Sequence, residues 1–258
     1  MLKKRIIGVV NVLNDLAVQS IRYEKYLPLG RPKYLVENLD RWQADEIFLN
    51  YMDISKKNKR PNFKILQELT NLKISTPLIY SGGISTAEDA YLVIKYGADR
   101  ICINNSLKLG KEFIKNIIEN VGIQALIISC PVIYRDRNIY HFDYASKKMT
   151  KFTDWMKKYN YENMFAEILI TDVENEGKKN SFNYSIINIV KNYFDRIILF
   201  GGISEPKQII KLFGENNVSA IAIGNYLSYK EHTIFNIKKE IKEDFIRKTK
   251  FYSGNQFT

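Results

Sequence analysis

The chain has 258 residues, 45% of them hydrophobic, which is enough for one large domain with a full core and excludes a disordered chain. Its formal net charge of +11 raises nucleic acids, anionic surfaces and anionic metabolites as partners, but the basic residues are scattered in pairs with no block of five, the pattern of a solvated surface rather than a nucleic-acid patch. No apolar run approaches the ~20 residues of a membrane span, the N-terminus enters a strand without a signal-peptide core, and the two cysteines, Cys102 and Cys130, lie inside apolar runs; the expectation is a cytoplasmic protein with no disulfide framework, no metal and no cofactor.

In chain order, apolar β-rich runs fall at Arg5–Val12, Glu46–Met52, Leu78–Tyr80, Arg100–Asn104, Ala125–Cys130, Glu167–Thr171, Arg196–Phe200 and Ala220–Gly224. Runs apolar almost throughout suit parallel strands buried on both faces. Between them lie amphipathic stretches such as Phe63–Leu72, Ala87–Tyr96, Glu112–Asn120, Tyr184–Tyr193 and Lys207–Phe213. Strand and helix alternate eight times, which predicts an α/β fold of the (βα)8 TIM-barrel type. The longest connection, Val132–Thr150, contains the alternating segment Ile139–Tyr144, read as a small hairpin. The tail after Lys250 is expected to fray.

An internal repeat supports closure of the barrel over an open sheet. Gly82-Gly83-Ile84-Ser85 recurs as Gly201-Gly202-Ile203-Ser204, Glu46–Leu49 resembles Glu167–Ile170, Ile6–Asn11 lines up with Leu126–Pro131, and Arg100–Asn104 with Ile221–Asn225, each about 120 residues apart. Two half-barrels are expected, about residues 1–122 and 123–250.

In a barrel the chemistry sits at the C-terminal ends of the strands. There the two glycine pairs let backbone N–H groups approach an anion, with the next helix expected to start directly afterwards and present its positive end. Gly82, Gly83 and Asn104 in one half, and Gly177, Gly201, Gly202, Gly224 and Asn225 in the other, are candidate phosphate binders. Two such loops facing each other suit a ligand with a phosphate at each end.

Together these stretches resemble the histidine-biosynthesis barrel family, and within it the cyclase subunits of imidazole glycerol phosphate synthase. The resemblance is carried by Leu2–Ile7, Asp45-Glu46, Gly82-Gly83-Ile84, Gly97–Arg100 with Ile103-Asn104, Asp154-Trp155, Ala166–Leu169 with Thr171, and Gly201-Gly202. It implies a glutaminase docked on the bottom of the barrel, ammonia passing up the axis, and two aspartates acting as acid and base at the top. Those two positions hold Asn11 and Pro131 here, and neither exchanges a proton near neutral pH. The family's substrate-binding lysine is matched by Gln19, and the acid ending the second strand by Tyr51, with Asp53 following. The four charges that gate the ammonia entrance are matched in kind by Arg5, Glu46, Arg100 and Glu167, and a glutaminase-contact position by Asp99.

The resemblance therefore implies a divergent copy that keeps the ammonia entrance and has lost the cyclase aspartates. Such copies resemble the partners of amidotransferases that install acetamidino groups on surface-polysaccharide sugars. Polar groups expected at the top are Asn11, Asp53, Asn104, Thr171, Asp172 and Glu176. Asp172 is the candidate proton acceptor and, alternatively, an anchor for the loop after the sixth strand. The expected partners are a glutaminase, a phosphorylated small molecule and a sugar amidotransferase. An authentic cyclase subunit and a non-catalytic phosphate-binding scaffold are the other readings.

Overall fold

The computed structural model describes residues 3–247 apart from positions 56, 58, 160, 162, 230 and 242–245. The tail expected to fray lies outside the described residues. In order, the chain forms β1 (Arg5–Leu13), β2 (Leu16–Ile21), β3 (Lys25–Gly30), α1 (Pro32–Arg41), β4 (Glu46–Tyr51), α2 (Phe63–Asn71), β5 (Leu78–Ser81), α3 (Ala87–Lys95), β6 (Arg100–Ile103) and α4 (Lys111–Val121). It continues with β7 (Leu126–Arg135), β8 (Asn138–Phe142), β9 (Met149–Lys151), α5 (Phe152–Lys158), β10 (Glu167–Asp172), α6 (Tyr184–Val190), β11 (Ile197–Phe200), α7 (Pro206–Phe213), β12 (Val218–Ile223) and α8 (Thr233–Ile241). Among the described residues no helix is long and apolar enough to cross a membrane.

Strands β1, β4, β5, β6 and β7 pair in parallel in that order, β10, β11 and β12 continue back to β1, and β10 pairs β7 to close the cylinder. This is the (βα)8 barrel expected from the alternation. Successive strand side chains point to opposite faces, and this sorts the core into two layers. Ile7, Val9, Phe48, Cys102, Leu169 and Ala222 fill the barrel interior. Ile6, Val10, Leu49, Ile101, Ile168 and Ile221 face outward into the helices. Local signals start those helices where the sequence places them. Thr86 accepts from the Asp89 amide in a full capping box at α3, Asn62 caps α2, and Pro32 and Pro206 open α1 and α7.

Two antiparallel extensions rise from the upper rim, one per half. β1 runs on into β2 and β3, and β7 runs on into β8 and β9. The second contains the hairpin expected at Ile139–Tyr144. The first is not legible in the sequence, because β3 is mostly exposed and carries Pro28, so it lacks the apolar alternation of a half-buried strand. β7 also extends past the predicted end at Cys130 to Arg135, straight through Pro131. The β6 ladder on β7 ends at Ile128 and the β8 ladder begins at Val132. Pro131 falls in the gap, where one flank of the strand has no partner.

Candidate functional site

The lower rim is a closed ring of four charges, each on the first residue of its strand. Arg5 bonds Glu46 at 2.9 Å and also Glu167, while Arg100 reaches Glu167 at 2.6 Å and Glu46 at 3.3 Å. The Ser219 hydroxyl donates to Glu167 as well. Glu167 is 1% exposed. Burial raises its carboxyl, but Arg5 and Arg100 outweigh that and hold it below its ordinary value. Each carboxylate meets both guanidiniums, so these four charges cancel and their burial is tolerable, and a third, half-exposed guanidinium, Arg196, lies 3.7 Å from Glu167 at the edge of the ring. Asp99 lies on the same rim, exposed, with one oxygen accepting from the Leu78 amide at 2.8 Å.

Directly above the ring the barrel interior holds a small cavity of about 10 Å³, lined only by apolar side chains and Cys102. That volume is at the lower limit for one water-sized molecule. Burial pushes the Cys102 thiol up to about 12, so it stays neutral. Phe48, Cys102 and Leu169 line both this cavity and a larger one of about 280 Å³ that opens at the upper rim. Ring, apolar cavity and mouth therefore stack along one axis.

The mouth is lined by Asn50, Ser129 and Thr171 from the strand ends and by Asp53, Ser55, Gly82, Gly83 and Asn104–Ser106 from the loops. Asn11 is buried and accepts a hydrogen bond from the Asn50 amide group at 2.9 Å. Asn11 pairs with Asn50 in β1–β4, and Pro131 with Thr171 in β7–β10, so positions 11 and 131 are matched places in the two halves. Neither supplies a carboxylate.

Asp172 does not line the mouth. Thr171 points inward, so its neighbour points outward. Asp172 Oδ2 accepts from the Asn175 side chain at 2.8 Å and the Asn183 amide at 2.9 Å, tying down the loop between β10 and α6. Burial raises its pKa, but the geometry is that of the anchor rather than of a proton acceptor for a ligand. The loop acids near the mouth are Asp53, paired with Lys57 at 2.5 Å, and Glu176. Burial lifts the Glu176 carboxyl to about 7 against the hydrogen bonds it accepts from Ser20 and the Tyr23 amide.

Both glycine pairs sit at the C-terminal ends of their strands with left-handed backbone: φ is +125° and +72° at Gly82 and Gly83, and +99° and +72° at Gly201 and Gly202. A Cβ on Gly82 would come within 2.7 Å of the Tyr51 carbonyl at the end of β4, so only glycine fits. The helix ends beyond them are less available than expected. The Ser85 and Thr86 amides donate to Asp89, and the Ser204 amide to Gln208, so side chains of α3 and α7 already satisfy these donors.

Sequence reasoning missed the β2–β3 hairpin as part of this site. Its tip carries Ser20 and Tyr23 over the barrel mouth, where Tyr23 packs on the interior core and meets Tyr144 of the other extension edge-on at 4.9 Å. The only local signal is the alternation of Leu16–Ile21, too short to stand out.

Comparison with known proteins places the chain in a family. The family model described as "Histidine biosynthesis protein" matches residues 5–233. The chain is 28% identical over 246 residues to the putative imidazole glycerol phosphate synthase subunit hisF2 of Vibrio vulnificus (strain YJ016), covering 94% of this chain and 89% of that protein. It is also 28% identical over 249 residues to imidazole glycerol phosphate synthase subunit HisF of Staphylococcus carnosus (strain TM300), covering 94% and 97%. With the family's model matched across nearly all of the barrel, the chain belongs to the histidine biosynthesis protein family.

Proposed function

We propose that this chain is the ammonia-receiving barrel of a glutamine amidotransferase complex in which imidazole-forming chemistry has been lost. The observation that carries this is the stack of a closed, neutral ion ring, an apolar cavity and an open mouth on one axis. An apolar lining does not trap a small neutral molecule, whereas a buried ion ring is a weak stabiliser that packed apolar residues could replace. A glutaminase subunit, implied for relatives named as synthase subunits, docks on the lower rim near Asp99. The amination takes place with a further sugar-modifying enzyme, on a surface-polysaccharide sugar that receives an acetamidino group.

The test is co-purification with a glutaminase followed by a glutamine-dependent amination assay. Arg5→Ala and Glu167→Ala are expected to cut coupled turnover while glutaminase binding persists, with Glu167→Gln as a milder, shape-conserving control. If no glutaminase is retained, or the variants change only thermal stability, the conduit reading fails and the phosphate-binding scaffold replaces it.

Loss of chemistry is tested separately. With ammonium supplied directly, imidazole formation is expected to lie at least ~10²-fold below that of an authentic subunit, because positions 11 and 131 supply no proton-transferring group. Ordinary rates would promote the second reading, an authentic cyclase subunit. That reading is favoured by the relatives' names and by one feature of the site, a Glu176 carboxyl at about 7 beside the mouth.

A further inference from the structure

The wall of the barrel is incomplete beside β1. Its ladder with β12 ends at Gly8↔Ile223, while on the other flank the ladder with β4 continues to Val12↔Tyr51. β2 takes up the open flank only from Val12↔Ala17. Over Val9–Asn11 that flank therefore has no ladder partner among the described strands. α1 lies close where the wall is whole: Leu39 rests on Gly8, where a Cβ would come within 2.8 Å of it. A cavity of about 350 Å³ lies between the open flank, α1 and the segment after β12, a volume in the range of small-molecule sites.

Its chemistry differs from that of the mouth. Leu35 and Leu39 of α1 and Trp42 at its C-cap turn one face towards it, and outward-pointing Val10 with Val18 and Leu29 of the β2–β3 hairpin complete an apolar chamber. Among the described lining residues Glu231 is the one charged group. A phosphate or carboxylate would enter without a countercharge, at a steep cost in lost hydration. Asn38, Ser228, Tyr229 and Glu231 are exposed at the opening, and Asn225 bonds the Ser20 backbone through both its oxygen and its nitrogen. Asn11 is the exception. It is 4% exposed and lines this cavity rather than the mouth, whereas its partner Asn50 lines the mouth. Its Oδ1 accepts from Asn50 at 2.9 Å, which fixes the amide plane and turns Nδ2 away from Asn50. Nδ2 donates to none of the described residues, so a donor beside an apolar chamber lacks the acceptor that would offset its desolvation.

We infer that this cavity is a ligand site separate from the mouth, and that it takes a small uncharged molecule with an apolar body and one carbonyl or hydroxyl oxygen. The body sits among Val10, Val18, Leu39 and Trp42, and the oxygen accepts from Asn11 Nδ2. Position 11, which has no proton to exchange, serves here as a hydrogen-bond donor. The hydrogen bond between Asn11 and Asn50 forms the partition between the two cavities. The inference does not depend on the ammonia conduit.

The experiment titrates cyclohexanecarboxamide into the whole chain, with cyclohexanecarboxylate as its charged counterpart, and follows the asparagine side-chain amides and the Val and Leu methyls by NMR. The amide is expected to saturate one site with a Kd of about 1 mM or below, a level open to a fragment of this size. The signals of Asn11, Val10, Val18 and Leu39 should move together, and the carboxylate should bind at least about tenfold more weakly. Asn11→Asp keeps the acceptor for Asn50 and removes the donor, and should weaken the amide at least about fivefold. Ser228→Trp places an indole at the exposed opening, away from the core, and should weaken the amide at least about tenfold. Absence of saturable binding, equal or tighter binding of the carboxylate, or an affinity unchanged in either variant overturns the proposal. So do shifts centred on the mouth, or on the aromatic groove around Trp155, in place of Asn11 and its neighbours. Failure to retain a glutaminase would sink the conduit and leave this inference standing.

Discussion

Glu167→Ala is expected to lower the unfolding free energy by about 3–5 kcal/mol, the range for removing one partner of a buried ion pair. Glu167 is 1% exposed and receives bonds from Arg5, Arg100 and Ser219. Its removal leaves the Arg5 and Arg100 guanidiniums sharing Glu46 alone, with Arg196 also losing its partner at 3.7 Å. Glu167→Gln keeps the volume and an acceptor and should cost less. Denaturant titration reads this as a shift in midpoint with an unchanged slope. The acid limb gives a second reading. Because the folded carboxyl ionises below its ordinary 4.5, its contribution is complete above that value and is lost as pH falls through the folded one. The variant should therefore show a weaker acid dependence than the parent. A loss below about 1 kcal/mol would mean that the ring is solvated and loosely held.

Glu176→Gln should act in the opposite direction. Its carboxyl is raised from 4.5 to about 7 by burial, so the folded state holds a proton that the unfolded chain has released. Stability from this group is fully present below about 4.5 and falls as pH rises through 7. The groups facing it, Tyr23, Tyr26 and Tyr144, have hydroxyls raised above their ordinary 10 and stay neutral throughout. Glutamine still accepts from the Ser20 hydroxyl and the Tyr23 amide but carries no charge. The variant is expected to match the parent near pH 4 and to exceed it at pH 8 by up to about 3 kcal/mol, because each tenfold difference in proton affinity between the folded and unfolded states is worth about 1.4 kcal/mol. Melting curves at the two pH values check this, and identical differences at both would show that Glu176 is not buried as a free acid.

The positions carrying the fold were legible because they obey short-range rules. Eight apolar runs spaced by amphipathic stretches can pack only with both faces of each strand covered. Gly82-Gly83 and Gly201-Gly202 announced left-handed turns after β5 and β11. The ring was legible through the family resemblance, which matches its four charges in kind, and each of them sits at the first residue of a strand, where side chains can converge at the rim. Asp172 was less so. A single residue of register decides whether Thr171 or Asp172 faces the axis, and an apolar run that ends in two polar residues does not say where alternation stops.

What the sequence by itself determined is the order of elements, the duplicated glycine loops, the four rim charges and the absence of carboxylates at positions 11 and 131. Only the tertiary structure decided how these are used. The bonds that tie the tip of the β2–β3 hairpin to the second half join Ser20 to Glu176 and to Asn225, which are 156 and 205 residues away. No local propensity encodes such pairs, because they exist only once closure of β7 on β10 brings both halves around one mouth. Two loops nearly identical in sequence acquire different neighbours, the Gly83 amide bonding Ser55 and the tip of the β2–β3 hairpin bonding Asn225 and lying against Gly177, because different segments fold over the two halves.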